Sequence, residues 1–153
     1  IFPVSDDAAR GEGLKWLFFI SNSLHAGLRQ MFYPEKFIAA EHAAKLRDGI
    51  AQRSQSDFAQ IEYLIVDPEM TLLGGATPTI LDIYACTCLR WAQLYPTTYA
   101  DNWVDVETFP ALRALAKRIE LLQSVQAVQV AEGLGPTPFS NPIYANPPVG
   151  SAT

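Results

Sequence analysis

His25 is the residue of this sequence whose side chain is best suited to proton transfer. An imidazole with an unperturbed pKa of about 6.5 is mostly neutral at pH 7, so it can accept or orient the proton of a bound group. Ser21 and Arg29 lie one helical turn before and after His25, which allows all three to share one helix face. Two interpretations stay open for His25: a catalytic role, or a partly buried histidine with a local hydrogen bond. For Arg29 the favoured interpretation is a solvated cation.

The other nucleophilic or metal-binding side chains indicate no second site. Cys86 and Cys88 are two positions apart, which places them about 200° apart around a helix, so we expect free thiols rather than a disulfide. Two thiols without histidine or further cysteine are too few ligands for zinc, so no metal site is predicted. Gly74-Gly75 lacks the spacing and the lysine of a phosphate-binding loop. His42 lies in a charged stretch and is expected at the surface.

Asp82 is the acidic residue of the most apolar stretch of the chain, and no other Asp or Glu occurs between Glu69 and Asp101. An isolated buried carboxylate is too costly to persist unpaired. Thr79 is placed to cap the start of a helix while Asp82 accepts the backbone amide of Thr79, which is a capping box with Asp in place of Glu. We therefore predict structural rather than catalytic roles for Thr79 and Asp82.

The eleven prolines indicate the elements that must position these residues. Proline is excluded from helix interiors, so helices are expected in the proline-free segments. Apolar residues at helical spacing predict one long helix within 4–33, with Ser5 and Asp6 as candidate N-caps. A second helix is predicted within 35–67, with a kink at the polar stretch 51–57.

The remaining patterns complete an all-helical architecture. A third helix within 79–95 is apolar nearly all round and is expected to be central and buried. A fourth is predicted over 112–122, and a short fifth one ends at Gly133. No segment alternates as a strand does. The sequence thus predicts an all-α bundle of about five helices over 1–134, followed over 135–153 by an extended, proline-rich tail that lies over the surface or is partly mobile.

Composition excludes several classes of protein. The 49% hydrophobic content lies in the globular range of about 45–50%. Eleven basic and 16 acidic residues give a net charge of −5, and without a basic stripe we expect no nucleic-acid partner. The longest apolar run, 16–20, is far below the ~18–20 residues that span a bilayer, so no membrane partner is expected. Free thiols favour a reducing, cytoplasmic location.

Several segments taken together resemble the C-terminal helical domain of glutathione transferases, in particular bacterial beta-class-like members. The segments that carry the resemblance are Trp16 to His25, Leu73 to Tyr84, Leu89 to Trp91, Phe109 to Leu112 and Val125 to Leu134. The resemblance covers roughly residues 5–134 and implies the helical fold. It also implies that glutathione is the co-substrate, bound mainly by an N-terminal thioredoxin-like domain that is absent from this chain. The first residue, Ile1 rather than Met, agrees with that expectation.

The same resemblance implies roles for individual residues. His25, which follows Leu24 on the first helix, is expected to point towards the glutathione sulfur; many family members have lysine next, where this chain has Ala26. Trp91 matches a tryptophan at the border of the substrate pocket, although an aromatic side chain on a central helix can equally be plain core. Ser21 is expected to contact substrate beside them. The implied partners are a small hydrophobic electrophile and a second copy in a homodimer.

The implied activity is glutathione conjugation of hydrophobic electrophiles, or thiol–disulfide exchange, by a parent protein, and this chain alone is expected to be inactive. Two alternatives stay open. The first is a non-catalytic interaction module, since transferase-like helical domains also serve as assembly platforms. A second apolar strip on the first helix, formed by Trp16, Phe19 and Ile20, suits either function. The second alternative is an unrelated five-helix bundle that shares the capping pattern.

Overall fold

The computed structural model describes residues 7–69, 72–100 and 103–147, and every regular element within these ranges is a helix. The predicted all-α bundle is therefore confirmed. The six α-helices are α1 Asp7–Phe19, α2 Ala26–Phe32, α3 Ala43–Val66, α4 Ile80–Leu94, α5 Pro110–Ile119 and α6 Gln123–Ala131. A π-helical segment, Ile20–His25, joins α1 to α2, so the described elements form five helical rods. Short 3-10 turns occur at Pro34–Lys36, Ala40–His42 and Val106–Thr108.

The first rod has the length that the apolar spacing predicts, but its winding changes in the middle. Ile20 and Leu24 of the π segment and Leu28 of α2 are completely buried. The π segment packs against both α3 and α4. Because π-helical turns are rare and depend on tertiary packing, periodicity alone could not predict this one. The candidate N-caps Ser5 and Asp6 lie outside the described residues.

Helix α3 runs without a break from Ala43 to Val66, through the polar stretch 51–57 where a kink is predicted. Ala, Gln and Arg make up four of these seven residues and are good helix formers. Within this stretch Ser54 is buried, with 1% of its surface exposed. It faces Gly27 of α2, where an added Cβ would lie 3.6 Å from the Ser54 hydroxyl. The missing side chain of Gly27 therefore brings α2 close to α3 at this point.

Helix α4 is the centre of the bundle, as predicted, with Leu81, Ala85 and Leu89 among its buried residues. Helix α5 begins at Pro110 and ends at Ile119, so the expected fourth helix over 112–122 is about one turn too long at its end. The carboxylate of Glu62 in α3 accepts the amides of Ala111 and Leu112, at 2.8 and 2.7 Å, in the first turn of α5. A carboxylate is favourable there because the first amides of a helix have no partners within it.

The C-terminal segment, 134–147, has no helix, as expected, but its centre belongs to the core. Phe139 is 7% exposed. The guanidinium of Arg90 in α4 donates to the carbonyls of Pro138 and Ile143, at 2.9 and 2.8 Å. The expectation of a tail that merely lies over the surface is wrong for this part of the segment. Within the described ranges no helix combines the length and apolar character needed to cross a bilayer.

Candidate functional site

An open cavity of about 630 Å³ lies between the first rod and the end of α4. Its volume falls in the range of roughly 300–1,000 Å³ that is typical of small-molecule sites. The lining residues are His25, Arg29, Phe32 and Tyr33 from the first rod, then Trp91, Tyr95, Pro96, Thr97 and Thr98. The cavity is therefore mainly aromatic, with a few polar groups that could orient a ligand.

Helical spacing explains why these side chains meet. His25, Arg29 and Phe32 stand at i, i+4 and i+7, which places them on one face of the first rod. Trp91 and Tyr95 are four residues apart at the end of α4 and form the facing wall. The π segment, which ends at His25, packs against α4 and so holds the two walls together.

His25 is held by two aromatic neighbours on α4. Its Nδ1 lies 2.6 Å from the hydroxyl oxygen of Tyr84, and its ring centroid lies 5.0 Å from that of Trp91. Burial raises the pKa of Tyr84 above its ordinary value, so its phenol stays protonated at neutral pH. The direction of this hydrogen bond depends on the imidazole tautomer, and in either case Nε2 is the ring nitrogen that Tyr84 does not engage.

The sequence-predicted site residues are only partly brought together. His25 and Trp91 both line the cavity, whereas Ser21 is not among the lining residues. The Ser21 hydroxyl lies instead 3.3 Å from the carbonyl of Phe18 and 3.1 Å from Oδ1 of Asn22, either of which can accept its single hydrogen.

Sequence reasoning missed Tyr84, which holds His25 without lining the cavity, and gave Arg29, which does line it, another role. Tyr84 lies seven residues before Trp91 on α4, and this spacing is the signal that could have placed both on one face. Arg29 was expected to be simply solvated. It is exposed, but it also lines the cavity one turn after His25.

The capping box at the start of α4 is confirmed. Asp82 is fully buried, and its Oδ2 accepts the amide of Thr79 at 2.6 Å. The Thr79 hydroxyl accepts the amide of Leu81 at 3.1 Å and donates to the carbonyl of Leu72 at 2.7 Å. Sequence reasoning did not foresee the second partner of Asp82: its Oδ1 accepts the amide of Gly74 at 2.7 Å. Both residues are structural, and together they join the preceding loop to the helix that carries Tyr84 and Trp91.

Cys86 and Cys88 are free thiols buried in the core. Burial raises the pKa of Cys88 to about 12 and that of Cys86 also upwards, because a thiolate is poorly solvated there. At pH 8, where an ordinary thiol is roughly one-quarter ionised, Cys88 should be ionised to about one part in ten thousand. We predict that neither thiol of the native chain reacts with an aromatic disulfide reagent within minutes at pH 8.

The control for this prediction is the same chain in guanidinium chloride, which should release two thiols per chain at once. A rapid reaction of either cysteine in the native chain would contradict the burial of α4 in the structure.

Among the described residues, no group of three or more His, Cys, Asp or Glu side chains is arranged to hold a metal ion.

No protein-family model, curated protein or solved structure matches this chain. A function therefore has to be argued from the cavity and from the residues that form it.

Proposed function

We propose that this chain is the helical half of a glutathione-transferase-like enzyme, and that its cavity holds a hydrophobic electrophile beside the thiol of glutathione. The observation that best supports this proposal is the position of His25: it stands on the wall of an aromatic cavity and is hydrogen-bonded to Tyr84. In this proposal an N-terminal thioredoxin-like domain binds most of the tripeptide, and the active protein is a cytoplasmic homodimer.

The start of α4 gives the proposal a second, independent support. The resemblance to the transferases depends on the segment 73–84, and the capping geometry expected within that segment is present. The capping fixes the orientation of α4, which supplies Tyr84 and Trp91 to the site. A bundle that shared the pattern by chance would not need a ligand-sized cavity on the same helix.

The proposed chemistry begins with the thiol of glutathione. A thiol with a pKa of about 8.5 is only a few per cent ionised at pH 7, so the enzyme must favour the thiolate. In this proposal the thiol releases its proton to solvent. The Tyr84 phenol donates to Nδ1 of His25, and Nε2–H of the same imidazole donates a hydrogen bond to the thiolate sulfur and stabilises its negative charge. The sulfur then forms a bond to the electrophilic carbon held against Trp91, and the leaving group departs with its electron pair.

Replacement of His25 by glutamine tests this proposal. In the natural polypeptide that contains residues 1–153, the His25→Gln variant should conjugate glutathione to 1-chloro-2,4-dinitrobenzene with kcat/KM lowered about 100-fold, the lower end of the loss that follows removal of one hydrogen-bond donor to a reacting anion. The rate is measured by the absorbance of the conjugate. The matched control is His42→Gln, since His42 is exposed and lies outside the cavity, and its rate should stay unchanged.

Equal rates for the His25 and His42 variants would remove His25 from the reaction. A natural polypeptide that binds the dinitrobenzene without conjugating it would instead favour the non-catalytic interaction module. For residues 1–153 alone we expect no measurable glutathione binding by calorimetry. Tight, stoichiometric binding there would contradict the assignment of the tripeptide site to another domain.

A further inference from the structure

The charged groups around the cavity favour one class of ligand over others. Among the lining residues that the structure describes, Arg29 alone carries a fixed charge, and the set includes no carboxylate. A second cation lies beside the lining: the Lys36 ammonium stands 4.5 Å from the centroid of the Tyr33 ring. An acidic chain of net charge −5 thus has a locally positive cavity.

The guanidinium of Arg29, unlike those of several other arginines, has no partner among the described residues. Arg47, Arg90 and Arg118 each donate to a backbone carbonyl. For Arg29 neither a hydrogen bond nor an ion pair of the side chain occurs with any residue of 7–69, 72–100 or 103–147. Its planar donors are therefore free to bind a carboxylate or sulfonate in the two-pronged geometry that guanidinium groups favour.

The aromatic side chains define the other half of the ligand. The ring of Trp91 lies beside His25, and Phe32 and Tyr95 pack edge to face with centroids 5.8 Å apart. These rings offer flat apolar surfaces, which favour a stacked or edge-on aromatic ligand. A cavity of about 630 Å³ has room for a compound of two fused rings.

We propose that the cavity takes an aromatic anion, with its rings against Trp91 and Tyr95 and its carboxylate or sulfonate on Arg29. This inference rests on the proposed function, because it names the class of compound that the same cavity accepts as electrophile or ligand. It goes further in that it assigns Arg29 the role of selecting a charged group. A general hydrophobic pocket would show no such selection.

Calorimetry with 2-naphthoate and with its neutral amide, 2-naphthamide, tests the inference on the chain of residues 1–153. The two probes have nearly the same shape and differ mainly in charge. The unaltered chain should bind naphthoate about tenfold more tightly than naphthamide, and Arg29→Gln should abolish that difference by weakening naphthoate alone. Arg29→Lys keeps the positive charge but loses the planar pair of donors, so it should retain part of the preference for naphthoate over naphthamide.

The matched control is Arg10→Gln, because Arg10 is an exposed arginine of α1 outside the cavity lining and its removal should leave both affinities unchanged. Equal binding of the two probes by the unaltered chain would overturn the inference, as would an equal loss of both in Arg29→Gln. Neither readout requires glutathione or turnover. The failure of this inference is therefore distinguishable from the failure of the proposed activity, which the His25 variant reports.

Discussion

Replacing Asp82 with alanine should lower the free energy of unfolding by about 3–4 kcal/mol, because a buried donor left without its acceptor costs roughly 1–3 kcal/mol. The carboxylate is fully buried and accepts two backbone amides, those of Gly74 and Thr79. Alanine would leave both amides without a partner. Since small domains are stable by about 5–15 kcal/mol, this change should remove a large part of the total.

Two further variants separate capping from the mere loss of a side chain. Asp82→Asn keeps the shape, but its amide group turns one acceptor into a donor that faces a backbone N–H, so we expect a loss of about 2–3 kcal/mol. The matched control is Asp105→Ala. Asp105 also accepts a backbone amide, that of Glu107 at 3.0 Å, but it is exposed, and its loss should cost about 0.5–1 kcal/mol.

Urea unfolding followed by circular dichroism measures all three values, with linear extrapolation to water. If Asp82→Ala costs no more than Asp105→Ala, the buried carboxylate does not hold the start of α4. The consequence would extend to the cavity, because α4 carries Tyr84, Trp91 and the residues that lead to Tyr95. The orientation of His25 through Tyr84 would then need another explanation.

Local features of the fold could be predicted from the sequence because their causes are local. Pro78 and Pro96 limit α4, and the box formed by Thr79 and Asp82 needs only residues within one turn. The start of α5 likewise follows from Pro110, whose fixed geometry suits the first turn of a helix. In each case a steric or hydrogen-bonding rule acts between near neighbours.

The features that sequence reasoning missed depend on residues far apart in the chain. The partner of Glu62 in α5 lies about 50 residues away, and the carbonyls that Arg90 binds are similarly distant. The π segment also depends on packing against two other helices. Helical periodicity describes which face of an element is apolar, but it contains no information on which distant polar group meets it.

The candidate site shows the same division. His25 and Trp91 could be singled out by residue type and by resemblance, whereas Ser21, expected beside them, is not among the lining residues of the cavity. Arg29 and Tyr84 needed the structure, since their importance comes from the wall that each of them faces. Residue type indicates the chemistry that a side chain can do, and tertiary packing determines whether it reaches the site.

Glu120 is the buried acid that sequence reasoning did not consider. It lies at the end of α5, where the helix dipole disfavours a negative charge, yet it is only 8% exposed. Its Oε1 accepts the amides of Phe139 and Ser140, at 2.8 and 2.7 Å, and its Oε2 accepts the Ser140 hydroxyl at 2.9 Å. Three donors to one carboxylate compensate for the unfavourable position and attach the C-terminal segment to the bundle.

This attachment reaches the cavity through aromatic contacts. Tyr144 of the same segment packs against Tyr95 with ring centroids 5.7 Å apart, and its hydroxyl donates to the carbonyl of Leu94 at 2.9 Å. Tyr95 in turn lines the cavity beside Phe32. Glu120 therefore supports one wall of the site although it does not contact the cavity.

The Glu120→Ala variant should accordingly be less stable by about 3–5 kcal/mol, because two buried amides and one hydroxyl lose their acceptor. Glu120→Gln retains one carbonyl oxygen for the two amides, and its NH₂ can donate to the Ser140 hydroxyl, so its cost should be only about 1 kcal/mol. Glu41→Ala, an exposed control, should change stability by less than about 0.5 kcal/mol. Urea unfolding gives the three values, and hydrogen exchange at the Phe139 and Ser140 amides gives an independent readout. Unchanged exchange at these amides in Glu120→Ala would show that the segment is held without the carboxylate, and that Tyr95 owes its position to other contacts.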